Sequence, residues 1–317
     1  MDRRTVVSRP RKKASTSMGQ LDGRVAVITG AGGGLGREHA LLLAAEGAKV
    51  VVNDLHDAKA LAEEIAAAGG QAVAVEGSVA DMAVGERLVA AAVESFGDLH
   101  VVVNNAGVVR DAMVWNMTEE QFDLVVDVHL KGAFSVTRAA ARHWRERSKS
   151  GATADRSIVN TTSAAGLHGN VGQWNYAAAK AGLAVQTVTA ALELGRYGVR
   201  ANAIAPMART AMLAGNPGFS AAVAAPEAAD VLDRYHPKNV SPLVGYLATA
   251  DCPFTGQVFS VTGGHVGLYA GWSLGHQIDA DRQWSVEELA TELGADSFPK
   301  SIGVNRQRLV PVDHSSR

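Results

Sequence analysis

Short apolar runs rich in Val and Ile recur along this chain, and helix-like stretches separate them. The runs at Val25–Thr29, 49–53, 72–76, 100–104, 157–161 and 200–204 lack the polar alternation of a half-exposed strand. They read as strands buried on both faces, the habit of parallel sheets. The stretches 35–46, 58–68, 82–96, 119–147 and 174–197 read as helices, and 257–261 supplies a seventh strand. Alternating β and α units predict an α/β fold, a doubly wound parallel Rossmann-type sheet of about seven strands with helices on both faces. In such a sheet ligands bind at the carboxyl ends of the strands. The chain has 317 residues, enough for two average domains, but no repeat or linker splits 21–267. One domain over that span is expected. Hydrophobic residues make up 47% of the chain, so a sizeable core can be buried.

The two ends differ from this pattern. Residues 1–20 carry Arg3, Arg4, Arg9, Arg11, Lys12 and Lys13 against Asp2 alone, with no helical or strand period. They are expected to form a disordered basic tail. It reads as a transit peptide or anion-binding arm, or as a solvated tail or an over-extended start ahead of Met18. Residues 268–317 form a C-terminal extension in which Ser285 and Glu288 make a capping box for a short helix at 286–293. A single cysteine, Cys252, excludes an internal disulfide framework and a cysteine-rich zinc site, and no metal is expected. The net charge of −2 gives no reason to expect nucleic acid or a membrane surface as partner. No apolar run approaches the roughly 18 residues of a bilayer span, and the N-terminus lacks a signal-peptide core. These features place the expected location in the cytoplasm.

The first strand runs into Thr29-Gly30-Ala31-Gly32-Gly33-Gly34-Leu35-Gly36 and then into a helix. Glycines there permit a tight turn and let backbone N–H groups approach a pyrophosphate at the helix end. A glycine cluster alone is a weak signal, and its place between strand one and helix one is what gives it weight. Asp54 ends the second strand about 20 residues on, where a carboxylate takes the adenosine ribose hydroxyls and repels a 2′-phosphate. NAD is therefore expected over NADP. The competing reading of Asp54 is a helix cap or turn residue.

A second constellation joins Ser163, at the end of the fifth strand, to Tyr176 and Lys180, four apart on one helix face. A free phenol has a pKa of about 10, too high for a base at neutral pH. A nearby ammonium is expected to lower it, and Ser163 to hydrogen-bond a substrate oxygen. The set suits proton transfer at an oxygen while a hydride moves at the adjacent carbon. Taken alone, a Tyr–Lys pair at this spacing is usually surface or core.

With these motifs in order, the chain resembles the short-chain dehydrogenase/reductase family over roughly 21–265. The resemblance rests on the glycine turn, Asn104-Asn105-Ala106-Gly107, Ser163, Tyr176-Ala177-Ala178-Ala179-Lys180 and Asn202-Ala203-Ile204-Ala205-Pro206. It implies that Ser163 polarises the substrate oxygen, Tyr176 is the acid/base, and Lys180 also binds the nicotinamide ribose. It further implies that Gly30, Gly32, Gly34, Leu35 and Gly36 hold the cofactor, that Ser78 and Val79 reach the adenine, and that Asn104, Ala106 and Gly107 line the adenosine and ribose side. Ile204 and Thr210 would approach the nicotinamide. A homodimer or homotetramer follows from the same resemblance, with interfaces on 119–147 and 174–197.

Narrower likenesses bear on substrate. Asn53-Asp54-Leu55, Val128-His129-Leu130-Lys131-Gly132, the run from Gly169 to Tyr176, Val240-Ser241-Pro242-Leu243-Val244 and Gly271-Trp272 are similar to the (3R)-hydroxyacyl-CoA dehydrogenase domain of peroxisomal multifunctional enzyme type 2. That likeness implies a 3-hydroxyacyl thioester or related hydrophobic alcohol. The alternatives are a hydroxysteroid dehydrogenase, a 3-oxoacyl reductase, and a non-catalytic dinucleotide-binding sensor. Several positions depart from the wider family. His129 replaces an Asn that holds a relay water, and it reads either as a proton shuttle or as a packed neutral residue. Ser78 replaces an adenine-contacting Asp, and Met207 replaces a Gly in a shortened turn before Thr210. Residues 207–235, broken by Gly215, Pro217, Gly218 and Pro226, read as a lid or as a surface loop. His168, Gln173 and Trp174 are candidates for the pocket wall, and His265, Trp272 and Trp284 for its closure or for simple packing.

Overall fold

Eight strands form one sheet in the order β3-β2-β1-β4-β5-β6-β7-β8 in a computed structural model that describes residues 19–210, 223–228, 231–271, 273 and 277–294. The strands are β1 Val25–Thr29, β2 Lys49–Asp54, β3 Gln71–Glu76, β4 Val101–Asn104, β5 Arg156–Thr161, β6 Val199–Pro206, β7 Val258–Thr262 and β8 His265–Leu268. The first seven are parallel, as their apolar runs predict; β1, β4 and β5 are buried at every position. The strand order reverses between β1 and β4, and both strands end beside the glycine turn. That switch point is where an open α/β sheet leaves a crevice for a ligand.

The eighth strand was not expected. The chain turns back at Gly263, whose φ is +52°, and His265–Leu268, at the junction with the C-terminal extension, pair antiparallel with β7. Val266 and Leu268 stay exposed, so the period-2 signal of a core-facing strand is missing from the sequence.

Helices α1 Gly34–Ala45, α2 Ala58–Ala67, α3 Met82–Phe96, α4 Glu119–Val126, α5 Gly132–Lys149, α6 Ala164–His168, α7 Trp174–Leu194, α8 Ser241–Ala248 and α9 Val286–Gly294 complete the described fold. Two apolar clusters cover the sheet, one on each face. Leu43, Leu61, Ile65, Val244 and Leu247 belong to one, and Leu88, Leu99, Val136 and Trp144 to the other. The Trp144 indole is fully buried and donates to the Leu99 carbonyl at 2.8 Å, which satisfies its single N–H. The capping box expected at Ser285 is present: Ser285 N–H donates to Glu288 at 2.8 Å, and Glu288 N–H to Ser285 Oγ at 3.2 Å.

The single helix expected over 119–147 is instead two helices joined by a π-helical turn at Asp127–Lys131. One extra residue in the turn moves His129 into the interior, where it is 2% exposed. The helix expected over 174–197 ends at Leu194 and closes in a 3₁₀ turn at Gly195–Tyr197. The short helices α6 and α8 carry too few residues for a periodic signal. Among the described residues no helix is long and apolar enough to cross a membrane. The expectations for residues 1–18, for 211–222 and 229–230 within the 207–235 segment, for Trp272 and for the end of the extension lie outside the described residues.

Candidate active site

The glycine turn is built by close backbone approach. A Cβ on Gly36 would stand 2.1 Å from the Gly30 carbonyl oxygen, and one on Gly30 would stand 2.7 Å from the Ala106 Cα. Gly30 and Gly34 hold φ of +65° and +52°, values that L side chains resist. Around Gly33 there is open space among the described residues. It caps α1 with no side-chain hydrogen bond, and the first turn of α1 holds no acidic residue. The amino end of a 12-residue helix therefore faces the crevice with its N–H groups free of side-chain competition. Leu35 packs behind the turn against the core.

Two residues that the site reading passed over hold this turn. Thr29 Oγ1 accepts the N–H groups of Asn105 at 3.0 Å and Ala106 at 3.1 Å. The Asn105 amide donates to the carbonyls of Thr29 at 3.0 Å and Gly30 at 3.2 Å. The first strand's exit and the fourth strand's exit are thus stitched together. Asn105 stood inside a quoted motif, but nothing in a sequence says which amide of an Asn pair turns outward.

Asp54 ends β2 beside the turn. One carboxylate oxygen accepts the Gly32 N–H at 2.8 Å and the other the Leu55 N–H at 2.7 Å. Both oxygens keep lone pairs for further donors. The uncapped helix end, the glycine cradle and this carboxylate fit the pyrophosphate and the adenosine ribose of a dinucleotide. Thr210 comes over the same turn, its Cγ2 lying 3.6 Å from the place a Gly34 Cβ would take.

Other expected cofactor contacts come out differently. Asn104 does not turn outward: its amide donates to Asn160 at 2.8 Å and to Thr137 at 3.0 Å in a buried network. Gly107 faces His129, and a Cβ there would stand 2.3 Å from the imidazole Cε1. Ile204 is fully buried, and Val79 is 4% exposed and packs on Gly132. These two side chains belong to the core, which leaves only their backbone to a cofactor. Ser78 Oγ accepts the Ala80 N–H at 3.3 Å, a local turn bond. Ala106 lies against Gly30, as expected of a residue flooring the crevice.

Ser163, Tyr176 and Lys180 come together as expected. Ser163 is the cap of α6, where its Oγ accepts the Ala165 N–H at 3.2 Å, and its hydroxyl acts on that of Tyr176, pulling the phenol's pKa down. Lys180 lies under the Tyr176 ring, with Nζ 5.6 Å from its centroid, and donates to the Thr161 carbonyl. Thr162 fixes the helix turn below by donating to the Lys180 carbonyl at 2.6 Å. Asn175, fully buried, donates to the carbonyls of Arg110 and Gln121 and accepts the Tyr176 N–H at 2.7 Å. It fastens the loop after β4 to α7, a role that adjacency to the tyrosine could have suggested.

The electrostatics differ from the expectation that Lys180 lowers the phenol. Burial pushes Tyr176 above its ordinary value, with the Ser163 hydrogen bond pulling the other way and the Asp111 charge adding to the rise. The same burial brings Lys180 down to about 7. The lysine nitrogen faces a carbonyl and not the hydroxyl, which is why its charge does little for the phenolate. His129 stays neutral: burial first, and the Lys180 charge second, bring its pKa down to about 3.

The walls of the mouth come from several elements. Ala112 bridges to Gln173, whose side chain donates to Asp111 at 3.0 Å, and Met113, Val114, Trp115, Val171 and Trp174 are exposed there. His168, at the far end of α6, meets the Tyr269 ring with centroids 5.6 Å apart, so the C-terminal extension reaches the element that Ser163 begins. Trp284 instead pairs with Arg282 in the extension.

A glycine-cradled helix end joined to a Ser–Tyr–Lys cluster defines a dinucleotide-dependent oxidoreductase acting on CH–OH groups. The short chain dehydrogenase family model matches residues 24–217. The chain belongs to that family. It is 46% identical over 295 residues to hydroxyacyl-CoA dehydrogenase ChsB1 of Mycobacterium tuberculosis, covering 89% of this chain and 91% of that protein. It is 39% identical to mouse peroxisomal multifunctional enzyme type 2 over 78% of this chain and only 33% of that longer protein. A crystal structure of a short chain dehydrogenase from Mycobacterium avium is 48% identical, with a TM-score of 0.78 over 87% of this chain and 95% of that one.

Proposed function

We propose that this protein uses NAD to interconvert a 3-hydroxyacyl thioester of coenzyme A and its 3-oxoacyl counterpart. The observation that carries the reading is the cluster of Ser163, Tyr176 and Lys180 beside the cradle of α1. The names of the relatives point the substrate toward hydroxyacyl-CoA, and the Asp54 carboxylate at the turn favours a free ribose over a 2′-phosphate. When bound, the nicotinamide takes or supplies the hydride at the substrate carbon. Ser163 donates to the substrate oxygen and orients it. In oxidation Tyr176 takes the hydroxyl proton; in reduction it returns one. Lys180 holds the underside of the tyrosine ring and anchors the helix to β5 through Thr161.

The experiment is a panel of 3-hydroxyacyl-CoA thioesters and hydroxysteroids, each assayed with NAD and with NADP. The expected result is the highest kcat/KM for a 3-hydroxyacyl-CoA with NAD. A value with NADP that equals or exceeds it removes the assigned role of Asp54, and preference for a steroid alcohol replaces the substrate class.

We also propose a homodimer or homotetramer. Leu124 on α4, Phe134 on α5 and Val185, Val188 and Leu192 on α7 leave large apolar side chains exposed, Leu192 at 80%. Such a face marks an association surface when it recurs on neighbouring helices. Light scattering at micromolar concentration is expected to give a multiple of the 33.0 kDa chain mass, and a single-chain mass excludes it.

A further inference from the structure

His129 is the one site residue whose sequence reading stayed open between proton shuttle and packed neutral residue, and its surroundings decide. Its Nε2 lies 2.7 Å from the Val108 carbonyl oxygen and 3.1 Å from the Val108 nitrogen. A neutral ring nitrogen donates or accepts, but does not do both. An accepting Nε2 would press two lone pairs together at 2.7 Å, whereas a donating Nε2–H meets the Val108 N–H only at the longer 3.1 Å, so the shorter contact favours Nε2–H donating to the carbonyl. Nδ1 then carries a lone pair, and it is buried with no hydrogen-bond partner among the described residues.

Asn104 reaches the same place from the other side. Thr187 Oγ1 donates to the Leu183 carbonyl at 2.9 Å, so it must accept from the Asn160 amide, also at 2.9 Å. That turns Asn160 Oδ1 toward Asn104, whose amide donates to it at 2.8 Å and to Thr137 at 3.0 Å. This chain of bonds orients the Asn104 amide and leaves its Oδ1 as a second buried acceptor without a partner among the described residues. Asn104 and His129 line one small cavity, together with Thr29, Ala106, Ala133 and Leu183. Its volume, about 10 Å³, is that of a single water site.

We propose that this cavity holds one water that donates one hydrogen to Asn104 Oδ1 and the other to His129 Nδ1. Two acceptors and two hydrogens balance. The water locks His129 in its Nε2–H tautomer, and His129 is a positioning residue that carries no proton. What it positions is the exit of β4. The ring grips the Val108 carbonyl, touches Gly107, and sets its edge on the Tyr176 ring with centroids 5.2 Å apart at 86°. The charged and titratable groups facing it are Lys180 and Tyr176, and the low imidazole pKa of about 3 agrees with a ring that stays neutral.

The test is a long-range ¹H–¹⁵N spectrum of the protein labelled at histidine, recorded across neutral pH. The expected His129 signature is a single proton on Nε2 that does not titrate, and a crystal structure that resolves waters is expected to place one against both acceptors. An Nδ1–H tautomer, a titrating ring or an empty cavity overturns the proposal. His129→Phe supplies the kinetic arm. It keeps an aromatic edge for Tyr176, removes both nitrogens, and is expected to lower kcat about 10-fold to 100-fold with a pH profile of unchanged shape. Loss of one limb of that profile identifies His129 as a proton carrier and overturns the proposal. The inference deepens the proposed reaction but separates from it: a wild-type enzyme inactive on hydroxyacyl-CoA would remove the substrate reading and leave the tautomer result standing.

Discussion

Tyr176→Phe lowers kcat by about 10²-fold to 10⁴-fold, the range that a positioned acid/base contributes, while dinucleotide binding persists. The hydroxyl is the only atom the substitution removes. The ring keeps its contact with Lys180 below and its perpendicular contact with the His129 ring. The cofactor cradle at Gly30–Gly36 lies on other elements, so the dinucleotide dissociation constant stays near the wild-type value. The wild-type pH profile carries a further mark of the pair. Lys180 has its pKa brought down to about 7, so the site sheds a proton as pH rises through neutrality. Oxidation delivers a proton to the site and reduction withdraws one. The oxidation rate is therefore expected to rise with pH through that range and the reduction rate to fall. Near-normal turnover by the phenylalanine variant would remove Tyr176 from the chemistry.

Gly36→Ala has the second large effect, and it strikes binding. The new Cβ would meet the Gly30 carbonyl oxygen at 2.1 Å, a backbone atom that no side-chain rotation can clear, and the Asn105 amide at 2.6 Å. Relief requires α1 to move away from β1, which opens the cradle and breaks the bonds from Asn105 to Thr29 and Gly30. Overpacking of this kind costs about 1–3 kcal/mol. The expected result is a Tm several degrees lower together with loss of dinucleotide binding by calorimetry. Gly33→Ala is the matched control, because a Cβ at that position meets no atom of the described residues within 4 Å. Equal binding by wild type and the Gly36 variant would contradict the assigned role of the turn.

Much of the fold was legible because one physical signal repeats. A strand buried on both faces tends to read as a continuous apolar run, and β1 and β4 announce themselves that way up to their last residue, while β5 does so only at Ile158 and Val159. The glycine turn and the Tyr176–Lys180 spacing were legible for a related reason: close approach and a shared helix face leave few residue choices. What stayed hidden depends on one residue's offset or on side-chain direction. The π-turn at Asp127–Lys131 adds one residue to a helical pattern and turns His129 inward, which periodicity cannot register. Asn104 and Asn105 are the same residue type in sequence. One enters the Asn160–Thr187 network and the other stitches the cofactor turn. Strand β8 is an exposed edge of four residues, so burial leaves no pattern in it.

The direction of the phenol's shift was misread for a reason that applies beyond this site. Sequence spacing places an ammonium near a ring, but it does not say which atom the nitrogen faces. Lys180 faces the Thr161 carbonyl, and desolvation is the larger influence on both groups.

The most direct measurement is NADH formation by the purified protein from a 3-hydroxyacyl-CoA thioester. The account predicts turnover that requires Tyr176, with kcat/KM higher for NAD than for NADP and higher for the thioester than for a hydroxysteroid. Dinucleotide binding without turnover on any thioester or steroid alcohol would contradict it.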